Sequence, residues 1–407
     1  MLSFTVAWRN LWRNKRRTLL TAGAVAFAVL LIQLGMSFQA GSYEPMVEVS
    51  TRFGSGHLQV QHESYKDDPR IEHVVADATA LREVLLQLPE VLSVSNRTEA
   101  FALASKGEKS YGALVVGVDP IVDPTTSYVS ERLIDGRYLD EPDSAFIGSA
   151  LARNLEIEIG DELVILATDV SGSVAFMAPT VTGIFEIGND ALDRALVQVP
   201  RASMNSALAL GDGAHRVVIM VANPMKPTQV VPSISTTLTE ATKLYDWHQL
   251  MPEISQNIRL DKISNGIVYG TLTVIVVLSI ANTFVMTAFE RTREFGMLRA
   301  VGMRSNSLFG MFVLETLIMW MLGVFMGYCL STCALVPLAI IGIGMDSMGM
   351  EQFAGMFFLP DRIYPAVDLK VILVAPFAIG FGMLISTALA SIRFYRMSLV
   401  DALRYKE

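Results

Sequence analysis

The sequence predicts an α-helical membrane protein with four transmembrane helices and a large extracytoplasmic α+β domain inserted between helices 1 and 2. Three observations lead to this fold class. Four nearly uncharged runs each hold the ~20 apolar residues that a helix needs to cross ~30 Å of hydrocarbon. More than two hundred residues between the first two runs are too polar to span a membrane. Basic residues collect in three of the segments that join or flank the runs.

We expect the chain to divide at the ends of these runs. The predicted segments are an amphipathic N-terminal helix (1–17), transmembrane helix 1 (18–40), the external domain (41–262), transmembrane helix 2 (263–289), a short charged helix (290–304), transmembrane helix 3 (308–336), an external loop (344–370), transmembrane helix 4 (371–392) and a tail (393–407).

The distribution of charge predicts the orientation, because Lys and Arg resist translocation. Segments 1–17, 290–304 and 393–407 together hold 13 basic and 4 acidic residues, a net charge of +9, whereas 39–262 holds 17 basic and 31 acidic residues, a net charge of −14. Both termini are therefore expected in the cytoplasm and the large domain on the outer side of the membrane. The acidic domain argues against a nucleic-acid partner, whose binding needs phosphate neutralisation. The basic inner face suits membrane lipid with anionic headgroups.

The external domain is expected to be rich in strands, with short helices, on the basis of its apolar spacing. We predict a strand at His57 to Gln61, a helix at Asp77 to Leu88, paired strands at Val91 to Ala104 and Tyr111 to Val118, a helix at Phe146 to Leu155, a turn at Gly160-Asp161, and a strand at Glu162 to Thr168 with Thr180 to Phe185 as its partner. The domain is expected to be either one large unit or two subdomains with a boundary near residue 125.

The sequence offers no catalytic constellation. A phosphate-binding loop of the form G-x-x-x-x-G-K-[ST] is absent, because the chain has no Gly-Lys pair. His57, His62 and His73 lack the spacing of a metal site and are expected at the surface. We therefore expect a chain that is not an enzyme and that holds no cofactor and no metal.

The charged run at 290–303 can form a small amphipathic helix with Phe295, Leu298 and Val301 on one stripe. A helix of this kind can insert into a groove on a partner protein. The alternative is an interfacial turn that only covers the ends of two transmembrane helices.

Several motifs resemble those of one family of membrane proteins. The run ERTREFGMLRAVGM at 290–303 resembles the signature of FtsX-like permeases, and AWRNLWRNKRRT at 7–18 resembles their amphipathic N-terminal helix. The ending MSLVDALR at 397–404 is similar to the family's P-x-x-A-L-R, with Ser398 near the usual proline. The run FIGSALA at 146–152, followed by Gly160-Asp161, resembles the MacB-like periplasmic core domain.

The resemblance implies a permease subunit of a mechanotransmitting (type VII) ABC transporter in the inner membrane of a bacterium, with the large domain in the periplasm. Such subunits pair with a second permease copy or a homologous permease and bind an ABC ATPase, which holds the ATP and Mg. Only 17 residues precede the first span, so the ATPase is expected on a separate polypeptide. The resemblance makes 290–303 the ATPase-coupling helix. Its candidate residues are Arg291, Glu294, Phe295, Gly296, Leu298, Arg299, Val301 and Gly302.

Two glycine pairs permit close packing between transmembrane helices. Gly266 and Gly270 form one pair, which is a candidate for the dimer face, and Gly323 and Gly327 form the other. Glu315 lies roughly 16 Å beyond the start of helix 3, at ~1.5 Å per residue. An intramembrane carboxylate of this kind either has a buried partner or reaches back to the cytoplasmic interface.

Among FtsX-like permeases, the layout is most similar to that of the lipoprotein-releasing LolC/LolE-like proteins, which implies release of a lipoprotein or another hydrophobic substrate. In those proteins one member of the pair recruits a carrier through an extended loop, and the corresponding residues 169–179 are short here. The short loop therefore argues against carrier recruitment by this subunit, although a periplasmic adaptor or carrier stays among the candidate partners. The alternative is an FtsX-like regulatory subunit that activates a cell-envelope hydrolase or senses a signal without transport, although the large external domain favours transport.

Overall fold

The structure is a computed structural model of the 407-residue chain, and it describes residues 2–227, 230–290, 292–344, 349 and 362–396. The described residues fall into two compact units. The helical unit comprises 2–43, 258–344 and 362–396, and the sheet unit comprises 44–257.

Long helices account for most of the helical unit, and short helices accompany the strands of the sheet unit. The helices are α1 (Leu2–Arg13), α2 (Lys15–Arg52), α3 (Ala78–Leu85), α4 (Ser149–Leu155), α5 (Asp190–Ala195), α6 (Arg201–Leu208), α7 (Val231–Ser235), α8 (Trp247–Leu250), α9 (Pro252–Glu290), α10 (Thr292–Ala300), α11 (Ser305–Ile341) and α12 (Leu369–Arg396).

The strands lie in the sheet unit except for the last two, which pair with each other in the helical unit. They are β1 (Leu58–His62), β2 (Val91–Lys106), β3 (Lys109–Val118), β4 (Leu133–Gly136), β5 (Ser144–Gly148), β6 (Val164–Thr168), β7 (Val174–Met177), β8 (Thr180–Phe185), β9 (Leu196–Pro200), β10 (Arg216–Val221), β11 (Thr242–Asp246), β12 (Ile343–Gly344) and β13 (Arg362–Ile363).

Helices α2, α9, α11 and α12 are long and apolar enough to cross a membrane. The described helices extend beyond the predicted spans: α2 continues to Arg52, and α9 begins at Pro252. Hydropathy marks only the apolar part of a helix, whereas the backbone hydrogen bonds continue through its polar ends. There, the Tyr43 hydroxyl donates to Asp261 Oδ2 at 2.7 Å, which links α2 to α9 beyond the apolar run.

The core of the helical unit lies between these four helices. Each helix contributes buried side chains, among them Val25, Val29, Ile280, Phe284, Phe312, Ile318, Ile379 and Met383. The edge-to-face contact of Phe284 and Phe312, with ring centroids 5.8 Å apart, joins α9 to α11.

The sheet unit is built around one mixed sheet with the strand order β11-β1-β10-β2-β3-β9-β5-β8-β4, and β6 and β7 continue from β2 as a branch. Strand β2 is long enough to pair with β10 at one end and with β3 and β6 at the other. Apolar clusters pack on both sides of the sheet. This mixed sheet with short helices confirms the α+β prediction.

Several elements agree with the sequence prediction. Strand β1 and helix α3 form at the expected places, and β2 and β3 pair antiparallel over nine residues, from Thr98↔Gly117 to Lys106↔Lys109. Gly160 lies in a turn with φ +91°, a backbone conformation that glycine adopts without strain.

The predicted helix at Phe146 to Leu155 is wrong in its first part, because residues 144–148 form strand β5 and the helix begins at Ser149. β5 is buried along its whole length between β8 and β9, and a short apolar run buried on both faces has no periodicity that separates strand from helix. The predicted pairing of Glu162–Thr168 with Thr180–Phe185 is also wrong. β8 pairs with β5 and β4, and β6 pairs with β2 and β7, so that only the bridge Glu162↔Thr180 joins the two segments.

The residues near 125, where one of the two domain alternatives places a subdomain boundary, have side-chain contacts with β2. Asp123 in this region is buried, accepts a hydrogen bond from Ser95 at 2.8 Å and forms a 2.7 Å ion pair with Arg97 on β2. The segment is therefore attached to the central strand rather than serving as a linker.

His57 is not at the surface, contrary to expectation. It is buried, and its Nε2 lies 2.7 Å from Glu48 Oε2. The side chains of His62 and His73 stack at 4.9 Å between ring centroids. The described residues contain no group of three or more His, Cys, Asp or Glu side chains that could hold a metal ion.

Candidate functional site at the α10 end of the helix bundle

Helix α10 lies in the predicted coupling segment, and its end follows from the sequence. Gly302 has φ +100°, a left-handed conformation that glycine adopts without strain. The Met303 N–H donates to Leu298 O at 3.0 Å, and the Gly302 N–H donates to Arg299 O at 3.0 Å. These two bonds form a Schellman cap, which satisfies the last carbonyl groups of the helix. Gly302 therefore ends α10 and allows the chain to turn into α11.

Of the predicted stripe of Phe295, Leu298 and Val301, the structure describes the last two side chains, and these lie in different environments. Leu298 packs against Leu308 and Met311 of the chain's own α11, whereas Val301 lies beyond the helix end and is 89% exposed. At 3.6 residues per turn, each step of three residues rotates the position by about 60°, so such a stripe drifts around the helix. The side chains of Arg291 and Phe295 lie outside the described residues. Among the described side chains at this end, Met297, Val301 and Met303 are apolar and exposed.

Gly296, by contrast, is buried within α10. Glu294 connects α10 to the N-terminal helix, since Arg13 Nη2 lies 2.7 Å from Glu294 Oε1. A parallel pair joins Arg17 Nη1 to Glu290 Oε2 at 2.7 Å. Both pairs are partly exposed, and such pairs contribute ~0–1 kcal/mol each. Their role is therefore to fix the α1–α2 junction, which carries Arg13 and Arg17, against the α9–α10 junction. The sequence analysis missed them, although the basic run at 9–17 and the acidic side chains of 290–294 are complementary in charge.

Glu315 is buried and has a half-buried side-chain partner. The Asn10 side chain donates from Nδ2 to Glu315 Oε1 at 2.8 Å, and Glu315 is only 5% exposed. A cavity of about 30 Å³ adjoins the carboxylate. Its lining includes Arg17 and the threonines Thr18, Thr21, Thr283, Thr287 and Thr316. The carboxylate therefore connects α11 to the N-terminal helix inside a polar part of the bundle.

The two glycine pairs have different environments. A Cβ atom at Gly323 would lie 2.6 Å from Val25 Cβ, and one at Gly327 would lie 2.8 Å from Val29 Cβ, so this pair permits close packing of α11 on α2. At Gly266 and Gly270 a Cβ atom would meet nothing within 4 Å in the part of the chain that the structure describes. Gly266 and Gly270 therefore lie on an open face of α9.

A second candidate surface lies in the sheet unit, and we call it the apolar sheet face: Phe101, Leu103, Leu166, Val174 and Phe176. Leu103 on β2 is opposite Leu166 on β6, and Leu166 is opposite Phe176 on β7. Phe101 and Val174 lie two residues from this row on their strands, which places them on the same side.

The apolar sheet face is open to solvent, with Phe101 78% and Val174 79% exposed. The other side of the same strands is buried and includes Ala104 and Ile165. The turn between β6 and β7 is short, as expected, and Asp169 Oδ1 accepts hydrogen bonds from the Ser171 and Ser173 N–H groups. Sequence reasoning missed this face because β6 and β7 had not been paired with β2.

A buried histidine in the sheet unit is structural. His215 Nδ1 accepts from the Glu99 N–H at 3.0 Å, so Nε2 carries the proton and donates to Ile71 O at 3.0 Å. Burial lowers the pKa of His215 to about 4. The imidazole is therefore neutral at physiological pH.

Two family models match the chain and together cover nearly all of it. The model of the FtsX-like permease C-terminal domain matches residues 266–399, and that of the MacB-like periplasmic core domain matches residues 18–237. Four apolar helices and a mixed-sheet domain thus define the class as a multi-helix membrane permease with a MacB-like periplasmic core. The chain belongs to the FtsX-like, MacB-like family of ABC transporter permeases. Membership indicates a protein of the inner membrane, and members work with an ABC ATPase and form permease assemblies.

Curated relatives are similar over most of their length. The lipoprotein-releasing system transmembrane protein LolE of Haemophilus influenzae is 20% identical over 396 residues, which cover 93% of this chain and 94% of that protein. LolC of Xylella fastidiosa (strain Temecula1) is 21% identical over 343 residues, with 78% and 79% covered. Among solved structures, the periplasmic region of MacB from Actinobacillus actinomycetemcomitans has 13% identity and a TM-score of 0.37, and the alignment covers 50% of this chain and 94% of that region.

Proposed function

We propose that this chain is the permease subunit of an ABC transporter that releases or extrudes a lipoprotein or another hydrophobic substrate. In this proposal a separate ATPase hydrolyses ATP, and the permease converts that hydrolysis into conformational work outside the cytoplasm. The observation that carries the substrate class is the similarity to LolE over 93% of the chain. The alternative, a regulator of a cell-envelope hydrolase, has no comparable support.

The apolar sheet face supports a hydrophobic substrate. It presents five large apolar side chains in adjacent rows on the outside of the sheet unit. Exposed contiguous apolar surface usually marks an interaction site. We assign to this face the binding of an apolar group during release.

The proposed orientation places both termini and α10 in the cytoplasm and the sheet unit in the periplasm. It rests on the basic residues of 1–17, 290–304 and 393–407. In this orientation the α10 end of the bundle faces the ATPase.

The proposed contact with the ATPase uses the exposed side of the α10 region. Met297 and Val301 supply its apolar surface, and the ion pairs of Glu290 and Glu294 hold it against the α1–α2 junction. Leu298 contributes by fixing α10 on α11 rather than by entering the partner. A second permease, identical or homologous, completes the assembly.

The test of coupling is Val301→Asp, compared with Leu298→Ala. A carboxylate at position 301 would be buried unpaired in the contact, at a cost of several kcal/mol. We expect Val301→Asp to insert normally and to lose co-purification of the ATPase. Leu298→Ala should keep the ATPase and lower the thermal stability of the permease. An ATPase that stays bound to Val301→Asp with normal turnover would show that the α10 region is only an interfacial turn.

The test of substrate is release from proteoliposomes that contain the permease assembly, its ATPase and a lipoprotein. We expect ATP-dependent release, and we expect the triple variant Phe101→Ser, Val174→Ser, Phe176→Ser to lose most of it while it still hydrolyses ATP. The control is Ile121→Ser, because Ile121 is 88% exposed and lies outside the apolar sheet face. Active ATP hydrolysis without release of any lipoprotein or amphiphile would favour the regulatory alternative.

A further inference from the structure

The N-terminal helix carries exposed tryptophans on one side and a core contact on another. Leu11 is buried in the core of the helical unit, whereas Trp8 and Trp12 are exposed one helical turn apart. Their rings meet edge to face, with centroids 5.9 Å apart. Exposed tryptophan next to a transmembrane helix is typical of the membrane–water interface, because its ring is apolar and its N–H is polar.

The same segment holds basic residues of two kinds. Arg13 and Arg17 are paired with Glu294 and Glu290. Arg9, Lys15 and Arg16 are exposed, and among the described side chains none of the three forms an ion pair. The acidic groups of α9 and α10 thus leave three cations of this segment available to another anion.

Apolar side chains follow directly along α2. Leu19 and Leu20 are exposed and come three and four residues after Arg16. The order along the chain is therefore two tryptophans with Arg9 between them, then Lys15 and Arg16, and then the start of the apolar run. A phospholipid has a charged headgroup joined to hydrocarbon, so it matches cations that are followed by apolar side chains. A free anion or an acidic protein would need only the cations.

We propose that Trp8, Arg9, Trp12, Lys15 and Arg16 form a binding surface for anionic phospholipid headgroups. The guanidinium groups of Arg9 and Arg16 and the ammonium group of Lys15 bind the headgroup phosphates. The tryptophan rings lie at the level of the headgroups, and the acyl chains run along Leu19 and Leu20. The surface is distinct from the α10 contact, because the cations used there are those of Arg13 and Arg17. The proposal thus goes beyond the transport function and would stand if that function failed.

The test measures lipid preference on the purified full-length permease in nanodiscs, without ATP or substrate. Brominated phosphatidylglycerol and brominated phosphatidylcholine quench tryptophan fluorescence on contact, so titration of each against unlabelled phosphatidylcholine gives a relative affinity. A basic residue near an anionic membrane contributes about fivefold in affinity. The triple variant Arg9→Gln, Lys15→Gln, Arg16→Gln should therefore lose at least tenfold of its preference for phosphatidylglycerol.

The control is Lys66→Gln, Lys226→Gln, Lys243→Gln, which removes the same charge from the sheet unit and should keep the wild-type preference. Charge-conserving exchange of the three cations, Arg9→Lys, Lys15→Arg and Arg16→Lys, should retain the preference. Because loss of basic residues also affects insertion, a second measurement uses the wild type alone, whose preference should fall steeply between low and high salt. Equal quenching by the two lipids in the wild type, or an unchanged preference in the Gln triple variant, would overturn the proposal.

Discussion

The close packing of α11 on α2 predicts a large effect of adding two methyl groups to the bundle. In Gly323→Ala the new Cβ would lie 2.6 Å from Val25 Cβ and 3.0 Å from Ala22 O, and in Gly327→Ala it would lie 2.8 Å from Val29 Cβ. Carbon atoms in favourable contact are ~3.5–4.0 Å apart. The shortfall is thus about 1 Å at each position. A Cβ atom is fixed to the backbone, so the two helices must separate to make room.

The expected cost can be estimated from two opposing effects. Overpacking costs about 1–3 kcal/mol per site, and the rigid contact favours the upper end. Replacing glycine by alanine inside a helix returns about 1 kcal/mol, because alanine loses less backbone entropy. We therefore expect a net loss of about 2 kcal/mol at each position and about 4 kcal/mol for Gly323→Ala with Gly327→Ala.

The assay is unfolding of the permease in mixed micelles by SDS titration, followed by helical circular dichroism. The matched control is Gly266→Ala with Gly270→Ala, where a Cβ atom meets nothing within 4 Å in the described chain and only the gain in helix propensity remains. The two double variants should thus change stability with opposite signs. If both are equally stable, then α2 and α11 are not packed as the structure describes.

Three further predictions concern assembly, pH and orientation. Gly266→Leu with Gly270→Leu should weaken pairing of permeases, seen as less cross-linked dimer with unchanged monomer stability; unchanged cross-linking would place the dimer face elsewhere. Burial holds the pKa of His215 at about 4, against an unfolded value of ~6.5, so the free energy of unfolding should fall by about 3 kcal/mol as the pH drops from 6.5 to 4. His215→Gln should remove that part of the pH dependence, as measured by denaturant unfolding at pH 7 and pH 4.5. A single cysteine at Ser206 should react with an impermeant reagent from the periplasmic side, and one at Ser305 should not, with Cys329 and Cys333 replaced by alanine; external labelling at Ser305 would refute the orientation.

The sequence determined the features that depend on local composition. The long apolar runs predicted the four helices, and alternation predicted the pairing of β2 with β3, because two adjacent strands joined by a short turn need no distant information. The family motifs predicted the class of permease. Gly302 even signals the end of α10, since a positive φ at that point favours glycine.

Tertiary structure decided the features that depend on a distant partner. Periodicity could not assign residues 144–148 to a strand, because both faces of β5 are buried: Ala145 and Ile147 lie in one apolar cluster and Phe146 lies in another. It also could not distinguish the two glycine pairs, which have the same spacing, although only Gly323 and Gly327 face α2. Leu298 has the spacing of the predicted stripe, yet it packs against Leu308 and Met311 of α11 and is partly buried there. In each case the same local pattern fits two environments, and burial by a remote segment selects between them.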